Sequence, residues 1–124
     1  STALPEQAVR DVLLSAFRSA GQRCSALRVL LVQEEVAEGV LEMLRGALEE
    51  LRAGDPWDWP TDMGPVIDEA ARAALEAHVA EARRAGRVLF DLPVPATGTF
   101  APPTVIRVGS VAEVTREVFG PVLH

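Results

Sequence analysis

Apolar residues return at helical spacing in three separate stretches of the chain. Pro5, Val9, Val12, Leu13, Ala16, Phe17 and Ala20 share one face of a helix expected from about Pro5 to Ser19. Pro5 suits the first helical position, where its missing N–H costs nothing, and the helix is expected to break at Gly21. Val36, Val40, Leu41, Leu44, Ala47, Leu48 and Leu51 mark a second helix from about Glu35 to Arg52, with Gly54 as a left-handed stop. A third runs from an Asp68 cap to about Ala85, before Gly86, with Ala71, Ala74, Leu75, His78, Val79 and Ala82 on its apolar face.

Between the first two helices, Ala26-Leu27-Arg28-Val29-Leu30-Leu31-Val32 is a short run rich in β-formers and reads as a buried strand of a parallel sheet. Arg87 to Phe90 and Phe100 to Val108 read as further strands joined by a Pro/Gly-rich loop, and Val111 to Arg116 as a short helical turn. Residues 55–65 form a loop in which Trp57 and Trp59 are expected to pin the chain to the domain. Helices alternating with strands predict an α/β layered domain, a mostly parallel sheet flanked by helices. So small a sheet leaves a face or edge uncovered, and the chain reads as part of something larger.

Composition narrows the function more than the fold. With 124 residues, 48% hydrophobic and 24% charged, one domain is expected. The formal charge is −6, and every basic residue is Arg, scattered apart from Arg83, Arg84 and Arg87. A nucleic-acid surface needs a concentrated basic patch, so no nucleic-acid partner is expected. No apolar run approaches the roughly 18 residues of a membrane span, and the N-terminal residues lack the pattern of a signal peptide, so a cytoplasmic location is the default. One cysteine excludes an internal disulfide framework and a multi-cysteine zinc site. His78 and His124 have no metal-ligand spacing, so no metal site is expected, and His78 reads as a packing residue.

The single thiol, Cys24, lies between a helix end and a strand start. There it is either a buried small hydrophobe or a nucleophile shown to a pocket by the turn at Gly21. Arg23 either adds to a field that favours thiolate or makes a surface pair.

Four short motifs decide between these readings by resemblance. Phe17, then Gly21-Gln22-Arg23-Cys24 and Ser25-Ala26-Leu27-Arg28, resembles the active-site cysteine signature of the aldehyde dehydrogenase superfamily. In register with it, Met63-Gly64-Pro65-Val66-Ile67-Asp68, Gly98-Thr99-Phe100-Ala101-Pro102-Pro103-Thr104 and Glu117-Val118-Phe119-Gly120-Pro121-Val122 resemble three further landmarks of the superfamily. Ser1 to Gln7, Ala16 to Leu30, Gly54-Asp55-Pro56-Trp57 and Arg116 to His124 resemble one branch, the dehydrogenase half of bacterial proline-utilization enzymes.

The resemblance implies NAD-dependent oxidation of L-glutamate γ-semialdehyde to L-glutamate, with NADP as the alternative cofactor. Cys24 is then the nucleophile, forming a thiohemiacetal and, after hydride loss, a thioester. Its backbone N–H is one donor to the oxyanion. Ser25 binds the substrate carboxylate, or else makes a local backbone bond or cap. Arg23 and Phe17 line the substrate site. Glu117, which alone would read as a surface carboxylate, holds the nicotinamide ribose, and Phe119 packs near the cofactor. The implied parent is a homo-oligomer, alone or fused to a proline dehydrogenase domain.

Several parts of that machinery have no counterpart in the sequence. No glycine-rich dinucleotide loop follows a strand, so residues 1–124 hold no complete NAD-binding domain. The general-base Glu and oxyanion Asn of the superfamily also lack counterparts, so the isolated chain is expected not to turn over aldehyde. The other readings are a dehydrogenase for a different aldehyde class and a non-catalytic structural or interaction domain.

Overall fold

A computed structural model describes residues 2–124; Ser1, which opens the Ser1–Gln7 stretch, lies outside the described residues. Helix α1 spans Pro5–Ala16, α2 Glu34–Glu49 and α3 Glu69–Arg84. Strands β1 (Val88–Asp91), β2 (Thr104–Ile106) and β3 (Val122–Leu123) form one sheet in that order.

The layering follows from the period-2 alternation of side chains along a strand. On one face of the sheet, Val105 and Leu123 pack with Val9, Val12, Ala16 and Phe17 and with Leu44 and Leu48 of α2. On the other, Ile106 and Val122 pack with Leu75, Val79 and Ala82 of α3 and with Met63, Val66 and Ala101. The β2–β3 register pairs Val105 with Leu123 and Thr104 with Val122, so each pair shares a face. The α/β reading therefore holds, with helices on both sides of the sheet.

The sheet itself is mixed. β2 and β3 run parallel, but β1 and β2 run antiparallel, with an irregularity between Val88 and Phe90. The residues between β1 and β2 contain no helix, so the chain returns directly and antiparallel pairing results. The expected strand over residues 26–32 is an extended segment without strand pairing along its length. Two hydrogen bonds tie it to the end of β3, from Leu30 N–H to the His124 carbonyl (2.8 Å) and from His124 N–H to the Arg28 carbonyl (2.9 Å). This is the pattern of a parallel pair, begun at one end only. Beyond it, Leu31 is 78% exposed at the rim of an apolar groove of about 580 Å³ shared with Leu41, Val105 and Leu123. The uncovered edge expected of so small a sheet lies at this groove.

Other boundaries shift for local reasons. The strand expected over 100–108 shrinks to three residues, because Pro102 and Pro103 have no N–H to donate. Asp68 caps α3 as expected, accepting from Ala71 N–H at 2.8 Å, and Gly86 follows it at φ 67°. Gly54 is not left-handed; α2 ends at Glu49, and Gly54 instead donates its N–H to the Met63 carbonyl in the next loop. Trp57 and Trp59 do not pin that loop, since they are 95% and 100% exposed. Among the described residues no helix is long and apolar enough to cross a membrane.

Candidate active site

α1 ends at Ala16, earlier than the expected Ser19, and Phe17 forms its C-cap. The chain then takes left-handed backbone angles at Ser19 (φ 58°), Ala20 (φ 51°) and Gly21 (φ 63°). For residues with a Cβ this conformation costs about 1–2 kcal/mol each, so something must hold it. Gln22 does part of this, donating both its backbone N–H (3.1 Å) and its side-chain amide (3.2 Å) to the Ser19 carbonyl. Ala20 is buried in the core beside α3.

Gly21 makes the closest backbone approach of the site. A Cβ there would lie 2.2 Å from the Gly120 oxygen and 2.8 Å from the Ala16 oxygen. Gly120 in turn backs onto Leu75, whose Cδ2 would be 2.4 Å from a Cβ at that position. The Cys24 motif and the Glu117 motif therefore meet glycine to glycine.

The turn that follows presents the thiol. Ala26 N–H closes on the Arg23 carbonyl at 3.1 Å, which puts Cys24 and Ser25 at the two corners of a β-turn. Cys24 is exposed, so the reading of a buried structural thiol fails. Neither the Cys24 N–H nor the Ser25 hydroxyl has a hydrogen-bond partner among the described residues, and both residues are exposed. Arg23 is exposed and turns one guanidinium nitrogen back to the Leu14 carbonyl (3.1 Å), capping the end of α1. Phe17 does not join this group. Its side chain is fully buried between α1 and α2, so it has no face open to a substrate, and it supports the turn by packing.

Arg28 joins the two motifs. Its Nη1 donates to the Gly21 (2.7 Å) and Gly120 (3.1 Å) carbonyls, and its Nη2 to the Arg23 carbonyl (3.2 Å). Its Nε binds Glu117 Oε1 at 3.2 Å, and its guanidinium lies 4.9 Å from the centre of the Phe119 ring. The Arg28 side chain is largely buried and that of Glu117 is 57% exposed, so this pair fixes geometry more than it adds stability. The second Glu117 oxygen has no partner among the described residues, and Phe119 is half exposed.

The other two motifs are bound into the same frame. The Gln22 Oε1 accepts from Ile67 N–H at 2.8 Å. Val66 N–H donates to the Thr99 carbonyl (2.9 Å), and the Thr99 hydroxyl donates back to the Val66 carbonyl (2.6 Å). The sequence points to Cys24, Arg23, Ser25, Phe17, Glu117 and Phe119 but gives Arg28 and Gln22 no role. The available signal was a lone Arg within an apolar run and a motif carboxylate far along the chain.

Comparison with known proteins identifies the family of the chain. The family model described as "Aldehyde dehydrogenase family" matches residues 2–124, and the chain belongs to that family. It is 53% identical over 132 aligned residues to bifunctional protein PutA of Salmonella typhimurium, covering all of this chain and 10% of that protein. A crystal structure of Bradyrhizobium japonicum proline utilization A superposes with a TM-score of 0.95 at 51% identity, over 99% of this chain and 13% of that one. Betaine aldehyde dehydrogenase from Staphylococcus aureus, solved in complex with NAD+, gives a TM-score of 0.88 at 32% identity over 98% of this chain and 26% of that one. The chain thus spans about a tenth of the bifunctional relatives it matches.

Proposed function

We propose that this chain carries the nucleophile and part of the cofactor site of an NAD-dependent dehydrogenase that oxidises L-glutamate γ-semialdehyde to L-glutamate. The observation that supports it best is the Arg28 joint, which ties an exposed Cys24 turn to an exposed carboxylate and ring at Glu117 and Phe119. In this reading the Cys24 sulfur bonds to the aldehyde carbon, and the unpartnered Cys24 N–H donates to the resulting oxyanion. The Ser25 hydroxyl, at the next corner of the turn, donates to the substrate carboxylate, with the free N–H groups of Arg23 as further donors. Phe17 acts from the core.

The donor set of the second motif fits a dinucleotide. The free Glu117 oxygen can accept from a ribose hydroxyl while Arg28 holds the other, and the exposed Phe119 face can pack against the cofactor. NAD, when bound, supplies the hydride acceptor that converts the thiohemiacetal to a thioester; NADP is the alternative. Cys24 then holds the acyl group until water releases the acid.

We place the general base, the second oxyanion donor and most of the dinucleotide site outside residues 1–124, so the isolated chain is inactive. We propose a homo-oligomeric whole enzyme, and the bifunctional relatives support its fusion to a proline dehydrogenase domain. The substrate class is tested by Ser25→Ala in the full-length enzyme. KM for glutamate semialdehyde is expected to rise about tenfold or more, with no change for an uncharged aliphatic aldehyde. Equal effects on both substrates would remove Ser25 from carboxylate recognition, and turnover of simple aldehydes alone would discard the substrate.

A further inference from the structure

His78, read from sequence as a packing residue on α3, is half-buried and has a polar partner. Its Nε2 lies 2.9 Å from Nε2 of His124, and the two rings meet edge to face at 67°. The Nδ1 of His124 lies 3.1 Å from the Arg28 carbonyl. A carbonyl only accepts, so that nitrogen carries the proton. The neutral His124 ring then has a bare Nε2, and the bond between the rings is donated by the His78 Nε2–H. The direction is fixed, from His78 to His124 to the Arg28 carbonyl.

That carbonyl is held twice, since His124 N–H also donates to it at 2.9 Å. The guanidinium of the same residue grips Gly21, Arg23, Gly120 and Glu117. We propose that His78 and His124 act as a directional imidazole pair that positions Arg28, and through it the Cys24 turn and the Glu117–Phe119 motif. The functional consequence rests on reading those motifs as nucleophile and cofactor contact.

The arrangement also sets how the pair takes up protons. A first proton on His78 Nδ1 leaves every bond in place. A second would set two N–H groups face to face and break the pair. Burial lowers the proton affinity of both rings. At His78 the charges of His124 and Arg116 lower it further, while Glu81 raises it. At His124 the bond to the Arg28 carbonyl raises it and the Arg28 charge lowers it. Arg87 and Glu113, paired with each other, complete the charged groups lining the cavity around the two rings.

The test uses the full-length protein with His78→Leu, which removes the donor, and His78→Gln, which keeps an N–H near the same position. Hydrogen exchange is read in peptides covering residues 20–30 and 116–124, alongside KM for NAD. His78→Leu is expected to raise exchange about tenfold in both peptides and to raise KM for NAD, while His78→Gln stays near wild type. Unchanged exchange in His78→Leu, or equal loosening in His78→Gln, overturns the positioning role. Raised exchange with unchanged KM would instead refute the reading of Glu117 as a cofactor contact.

Discussion

Replacing Gly21 by Ala probes the meeting of the two motifs at its tightest point. The backbone there has φ 63°, which an alanine adopts at a cost of about 1–2 kcal/mol. Its Cβ would sit 2.2 Å from the Gly120 oxygen and 2.5 Å from the Gly120 carbonyl carbon. These are backbone atoms, not the end of a flexible side chain, so about 1 Å of separation is needed. Gly120 has little room to retreat, because even a Cβ built on it would lie 2.4 Å from the side chain of the buried Leu75. Overpacking of this kind costs about 1–3 kcal/mol. The total is about 2–5 kcal/mol, a large share of the stability of an ordinary domain. Urea unfolding followed by circular dichroism should therefore show a midpoint lower by about 2 M. Gly46→Ala is the control. It lies in the exposed interior of α2 with nothing within 4 Å of the new Cβ, and it should gain about 0.5–1 kcal/mol. A Gly21→Ala protein as stable as wild type, or a Gly46→Ala protein equally damaged, would refute the close approach.

Further outcomes follow from the same frame. Arg28→Lys keeps the charge but loses the planar set of donors that serves three carbonyls and Glu117; stability should fall by about 2–3 kcal/mol in urea unfolding, with KM for NAD raised. Ser19→Gly relieves a left-handed residue at an exposed position and should stabilise by about 1 kcal/mol in the same assay. The two histidines give stability a pH dependence of known sign. Both bind protons less readily folded than at their ordinary value of 6.5, chiefly through burial. Their contribution is complete above that value and is lost as pH falls from it through the lowered folded values. Unfolding free energy should thus decline as pH falls below about 6.5, and His78→Gln should flatten that decline.

The parts legible in the sequence are those with a local cause. The three helices announce themselves through apolar periodicity and, for α3, through a capping Asp68 that bonds as its residue type suggests. The apolar runs near residues 26–32 and 100–108 are harder. Their residues favour strands, but pairing depends on a partner backbone, and residues 26–32 find one only at the end of β3. The exposure of Trp57 and Trp59 has the same root, since a sequence says that large rings seek cover without saying where cover lies. At the site, the motif glycines and Cys24 were visible as a pattern, whereas Arg28, Gln22 and the His78–His124 pair act across 45 to 96 residues of chain. Phe17 shows the converse: a motif position can be kept for packing behind the site.

The most direct measurement is NADH formation from glutamate semialdehyde by the full-length enzyme, wild type against Cys24→Ala. Turnover in the wild type that is abolished in the variant is the expected result, with stability unchanged because Cys24 is exposed. Full activity in the Cys24→Ala enzyme would remove the thiol from the mechanism and contradict the proposed function.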